Sequence, residues 1–266
     1  MARMRPVSFE DRLTLVEHLD ELRTRLIVCG IVLLVAAALC FWQNHLLLEI
    51  ANGPLPGGFE PITLSPTEPF MTTLTLSFYG ALLLAFPVIL YQAYAFILPG
   101  LTAGERRVVL PLLLMVPILF AAGVVFAYVV VAPAALDFLL NFNADQFNTE
   151  LRARDYYSFL AIALIGVGIL FQIPIGVLAV TRLGIVTPDQ LARNRRYGVL
   201  IIAVLAMLLP GTDPITMLIS MIPLILLFEF SLILARIMGG RRERADAAAD
   251  PSASEGPAGS APAGAD

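Results

Sequence analysis

Tyr197-Gly198-Val199-Leu200-Ile201-Ile202-Ala203-Val204-Leu205-Ala206-Met207-Leu208-Leu209, then Pro210-Gly211-Thr212-Asp213-Pro214, then Ile215-Thr216-Met217-Leu218-Ile219-Ser220-Met221-Ile222-Pro223-Leu224-Ile225-Leu226-Leu227-Phe228: two apolar runs of 13 and 14 residues around a five-residue turn decide how often this chain crosses a membrane. The turn is built of residues that end one helix and start the next. As helices the runs reach roughly 20 Å at 1.5 Å per residue, short of a hydrocarbon core of about 30 Å. We read the pair as a short helical hairpin that crosses together. A re-entrant element is the other arrangement these lengths permit.

Four longer apolar runs precede the hairpin, at 26–42, 70–98, 108–136 and 156–181. With 58% hydrophobic and 14% charged residues in 266, and a mean hydropathy of +0.83, the chain is too apolar to present a water-facing surface all round. Its solvent is a bilayer. Six crossings place both termini on one side, and the arginines say which. Fifteen lie in the N-terminal segment, in loops 99–107 and 182–196 and in the region from Arg236, whereas loops 43–69, 137–155 and 210–214 hold only Arg152 and Arg154. Short cytoplasmic loops retain arginine, so both termini are expected inside; five crossings would put the basic tail outside. The chain divides into a cytoplasmic amphipathic segment 1–25, a six-helix membrane domain 26–238 and a tail 239–266. The tail's Ala, Pro, Ser, Gly and charged residues predict disorder. No cleavable signal peptide is evident. Cys29 and Cys40 share one helix in a geometry that closes no disulfide, and His18 and His45 flank the same span at opposite ends, so no metal site is expected.

Few polar residues stand where they can do chemistry. Leu15, Leu19, Leu22 and Leu26 form one stripe ahead of the first span, leaving Glu17, Glu21 and Thr24 on another face. This predicts an amphipathic helix at the cytoplasmic interface, with Glu21 facing Arg25 at i,i+4 as a surface pair worth about 0.3–0.5 kcal/mol. In loop 99–107, Thr102 and Glu105 have capping-box spacing. The same carboxylate, beside apolar Phe96 and Leu101, also suits a guanidinium and its hydrophobic neighbours. Pro54 sits in a turn-rich stretch entering the first exported loop, and Asp213-Pro214 has the form of an N-cap with proline at the first helical position. Gln172 lies ten residues before Arg182, roughly 15 Å into the membrane. Its amide needs a partner, either within the bundle or on another transmembrane helix. Glu229, seven residues before Arg236, can reach the cytoplasmic interface and is read as structural.

The order of several strings resembles the TatC family over about residues 8–240. They are His18-Leu19-Asp20-Glu21-Leu22-Arg23-Thr24-Arg25, Ser65-Pro66-Thr67-Glu68-Pro69-Phe70, and Phe86-Pro87-Val88-Ile89-Leu90-Tyr91-Gln92-Ala93-Tyr94-Ala95-Phe96 continuing through Pro99-Gly100-Leu101 to Glu105-Arg106-Arg107. Further matches are Phe126-Ala127-Tyr128 with Pro133, Phe171-Gln172-Ile173-Pro174 and Thr212-Asp213-Pro214. The resemblance implies an all-α, six-helix, glove-like bundle with short fifth and sixth helices, in a bacterial or archaeal cytoplasmic membrane. It implies a receptor for the paired arginines of export signal peptides, with carboxylates at Glu21 and Glu105 and a surrounding surface at Arg23, Phe96 and Leu101. Pro54 and Asp213 correspond to functional positions on the exported side. Implied partners are single-span TatA and TatB-type subunits and further copies of the chain, with transport driven by the proton motive force. The chain departs from the pattern at Gln172, where many members carry glutamate; a hydrogen-bonding role survives there and a titrating one does not. A small-solute secondary transporter is the competing reading, but no 3+3 repeat or broken pair of long helices supports it. No Gly-x-Ser-x-Gly or His-Glu-x-x-His string points to an enzyme, and neither cofactor nor nucleic acid is expected.

Overall fold

The computed structural model describes residues 15–57, 59–97, 103–146, 149–182, 186–209 and 214–249. The described residues are almost entirely helical: α1 (Leu15–Trp42), α2 (Asn44–Asn52), α3 (Glu68–Ile97), α4 (Ala103–Phe126), a π-helical stretch Ala127–Val131, α5 (Ala132–Asn141), α6 (Ala153–Leu170), α7 (Ile173–Arg182), α8 (Pro188–Arg193), α9 (Arg195–Met207) and α10 (Pro214–Ala249). Among the described residues, five helical segments are long and apolar enough to cross a membrane: His18–Trp42, Glu68–Phe96, Met115–Asn141, Ala153–Thr181 and Pro214–Arg236.

Four of these match the long apolar runs, but their internal structure departs from simple spans. The amphipathic segment is not a separate element at the interface: with no proline to break it, it continues into the first span as one helix of 28 residues. The third span carries the π-helical stretch, where the N–H of Ala132 bonds the Ala127 carbonyl. Pro133 follows directly and has no N–H to offer the preceding turn. The fourth span is broken at Phe171-Gln172. There the Gln172 N–H turns to the Ile169 carbonyl at 2.9 Å, and Pro174 leaves the Leu170 carbonyl without its usual donor. Helix α2 occupies part of the stretch 43–69, which the sequence predicts to be loop.

The hairpin needs a larger correction. Its first arm, α9, is 13 residues, as short as expected. Its second is not short: α10 runs for 36 residues, with Pro223 inside it. Glu229 marked the end of the apolar run in the sequence, yet the helix passes through it: glutamate is a good helix former, and the Arg195 guanidinium lies 3.3 Å from its carboxylate. Residues 239–249, expected to be disordered, continue the helix. Their arginine, glutamate and alanine are strong helix formers, and that preference prevails over the lack of apolar surface to bury. Residues 250–266 lie outside the described part.

The core runs through α3, α4, α6 and α10. Phe120, Tyr156, Leu160, Val167, Leu224 and Leu232 are 2% exposed or less, while Leu26, Leu34, Leu84, Leu218 and Leu226 on the outer faces are 60% exposed or more. Apolar outer faces suit lipid as solvent. Helices α4 and α6 approach closely where glycines face each other's helix: a Cβ on Gly123 would stand 2.8 Å from the Phe171 ring, and one on Gly168 2.6 Å from Phe120. Small residues at such crossings let dispersion contacts hold helices together where lipid removes the hydrophobic drive.

Candidate functional site

At one end of the bundle, the first turns of α1 lie against the last turns of α3. The Glu21 carboxylate accepts two hydrogen bonds from Arg25, from Nε at 3.1 Å and Nη2 at 2.5 Å. Arg25 Nη1 reaches across to donate to Gln92 Oε1 at 3.0 Å. The His18 imidazole stacks on Phe96 with ring centroids 4.2 Å apart and planes 13° from parallel. The pair foreseen at i,i+4 is therefore also a tie between helices. Glu21 and Arg25 keep 25% and 23% of their side chains exposed, so a carboxylate oxygen remains reachable from water. Arg23 and Thr24 are exposed on the same turns.

Of the residues expected to form this surface, Glu21, Arg23 and Phe96 lie together at this end. Glu105 is the third residue of α4, and its side chain lies outside the described part, as do Leu101 and Asp213. Gln92 and His18 are contributors the residue-by-residue reading did not single out as site residues. Their signal was spacing: Gln92 stands four residues before Phe96, so one face of α3 presents both to α1.

The opposite end is held by polar contacts. Ile62 pairs with Arg152 in a short parallel bridge, through Ile62 N to Leu151 O and Ala153 N to Ile62 O, both 2.8 Å. Arg152 donates to both oxygens of Glu68, at 2.8 and 3.3 Å, and the Leu64 N–H adds a third bond at 2.9 Å. Glu68 is buried, its side chain 4% exposed. The hydrogen bond and charge of that carboxylate raise the Arg152 pKa still further. Three tyrosines tie down the end of α2: Tyr128 donates to Ile50 O at 2.7 Å, Tyr156 to Ala51 O at 2.5 Å and Tyr157 to Asn52 Oδ1 at 2.8 Å. The Ala51 carbonyl is one that a helix end leaves without an intrahelical partner, and the Ile50 carbonyl also accepts the capping Gly53 N–H at 3.1 Å. Pro54 is buried immediately after them.

Gln172 sits at the break between α6 and α7. Its Nε2 donates to Val116 O of α4 at 3.3 Å and to Gly168 O at 3.5 Å, the carbonyl its own backbone N–H has given up. Its Oε1 is buried with no partner. The amide's donor is thus used within the bundle, and its acceptor is unspent.

The family model described as "Sec-independent protein translocase protein (TatC)" matches residues 17–223. The chain belongs to the TatC family. TatC of Aquifex aeolicus is 38% identical over 228 residues, 84% of this chain and 95% of that protein. TatC of Escherichia coli K12 is 35% identical over 239 residues, 88% and 93% of the two chains. A crystal structure titled as the twin arginine translocase receptor TatC, in the detergent DDM, superposes with a TM-score of 0.71 at 38% identity, covering 82% of this chain and 99% of that one. This TatC-family chain is accordingly a membrane-embedded component of protein translocation, and the solute-transporter reading falls away.

Proposed function

We propose that this chain is the receptor and core subunit of a twin-arginine translocase, binding the paired arginines of export signals at the end of the bundle that carries Glu21. The observation that carries the reading is the Glu21–Arg25–Gln92 arrangement beside the His18–Phe96 stack. A carboxylate already engaged by a guanidinium from the side has the shape for such a group, and the adjoining aromatic surface suits the apolar residues that follow it. Glu105 is assigned the second carboxylate, and Leu101 and Arg23 further parts of the binding surface. Arginine is preferred over lysine because its planar fork makes two directional bonds to a carboxylate.

Under this reading α9 and α10 complete six crossings, with both termini in the cytoplasm of a bacterial or archaeal cell and Pro54 and Asp213 on the exported face. The fifteen-to-two distribution of arginines supports the orientation. TatA and TatB-type single-span subunits and further copies of the chain are the partners, transport draws on the proton motive force, and no enzymatic step is involved. The unpaired Oε1 of Gln172 accepts a hydrogen bond from a partner helix. The test of the receptor role is photocrosslinking from loop 99–107 to a signal peptide with Arg-Arg or Lys-Lys. Glu21→Ala and Glu105→Ala should each weaken Arg-Arg capture while the protein still inserts. Equal capture of both peptides by parent and variants would end the proposal.

A further inference from the structure

We propose that the cavity between the N-terminal ends of α3 and α6 binds a phosphate group, supplied in the membrane by an anionic phospholipid headgroup. The cavity holds about 480 Å³ and lies at the end of the bundle remote from Glu21. Its lining charges are Glu68, Arg152 and Arg154. Glu68 and Arg152 neutralise each other through their two-pronged pair. Arg154 is left over: among the described residues no carboxylate lies within ion-pair distance of its guanidinium. Asp155, next in the chain, does not line the cavity. Arg152 and Arg154 are also the two arginines at this end of a chain that holds the other fifteen elsewhere. Arg152 is explained by Glu68, and Arg154 has no such internal explanation.

A second, independent observation points into the same space. Thr72 lines the cavity and is 5% exposed, yet its Oγ1 is buried without a hydrogen-bond partner. The neighbouring Thr73 shows what a helical threonine ordinarily does, donating to the Pro69 carbonyl one turn back at 2.8 Å. Thr72 forgoes that bond. With Thr75, Tyr79 and Ser158 it presents hydroxyl donors beside one unpaired guanidinium, the donor set that a phosphate's oxygens require.

The surroundings select a lipid as the source. The cavity follows α3 from Glu68 to Tyr79, about 16 Å along the helix from the level where a span begins. Met71, on its rim, is 55% exposed, and Phe70, Leu74 and Phe78 form an outward apolar stripe at 57, 47 and 50% exposure. Acyl chains lying along that stripe place their headgroup at the cavity mouth.

The full chain, reconstituted in phosphatidylcholine nanodiscs doped with phosphatidylglycerol and released into mild detergent, tests this by native mass spectrometry. Parent protein should retain one phosphatidylglycerol in preference to phosphatidylcholine. Arg154→Gln should retain it about tenfold less, the scale set by losing one charge-assisted hydrogen bond. Thr72→Val should weaken retention with the fold intact, Arg154→Lys should preserve most of it, and Arg236→Gln at the opposite end should change nothing. Equal retention by parent and Arg154→Gln would overturn the site. Displacement by millimolar inorganic phosphate with no lipid selectivity would overturn the lipid assignment.

Discussion

Tyr156 is 1% exposed and its hydroxyl donates to the Ala51 carbonyl. Tyr156→Phe leaves that carbonyl without a donor in a place water does not reach, and thermal unfolding in detergent should show a loss of about 1–3 kcal/mol. Tyr157→Phe serves as the comparison: its partner Asn52 is exposed, and water replaces the lost bond at smaller cost. Gln172 should behave differently. Gln172→Leu removes two long hydrogen bonds and also a buried oxygen with no partner, so stability should change by under about 1 kcal/mol. Crosslinking to a small single-span subunit should nonetheless fall; if the protein unfolds early and the contact persists, the amide acts only within the bundle. Depth made Gln172 visible in the sequence, because ten residues of helix fix its height. Its inward partners were not visible, since they depend on a helix break that frees the Gly168 carbonyl. Glu229 misled for the opposite reason: a charge ends an apolar run on paper, whereas glutamate carries a helix on readily and Arg195 pairs with it.

Helix α9 lies on α10 with Gly198 facing Phe228, where an added Cβ would stand 2.5 Å from the ring. Gly198→Leu should therefore destabilise the hairpin by about 1–3 kcal/mol, seen as lower thermal stability and earlier proteolysis near the turn. Gly176→Ala is the control: it has open space around it, and a helical alanine should be neutral or mildly stabilising. The long spans were legible because about 20 apolar residues leave little else for them to be. Their interruptions were not, because membrane helices tolerate proline where neighbours satisfy the freed groups, and Pro174 and Pro133 announce themselves no more loudly than Pro87, inside α3. Helix α2 escaped notice since nine residues between a tryptophan and a Gly-Pro turn read equally well as loop. Residues 239–249 carry no apolar stripe, so a reading based on burial passed over their intrinsic helical preference.

For the molecule as a whole, the six-crossing arrangement predicts that a cysteine at Asn148 is labelled from outside intact cells and one at Ser252 only after permeabilisation. Labelling of both from outside would exclude it. The all-helical membrane fold was legible from the long apolar runs and from family resemblance. The candidate site was only half so: its carboxylates were nameable in advance, but the contacts of Arg25 with Gln92 and of His18 with Phe96 required two helices to be placed side by side. The pair between Glu68 and Arg152 joins residues 84 apart in the chain. At about 5–20 residues per second, several seconds of synthesis separate them. During that interval the Glu68 carboxylate keeps only the Leu64 N–H and the Ile62 backbone lacks its bridge, so this end of the bundle must be finished late, after the fourth span has delivered Arg152. A chain halted after residue 146 should thus insert its first three spans and still keep a protease-sensitive first loop, whereas one halted after residue 182 should resist.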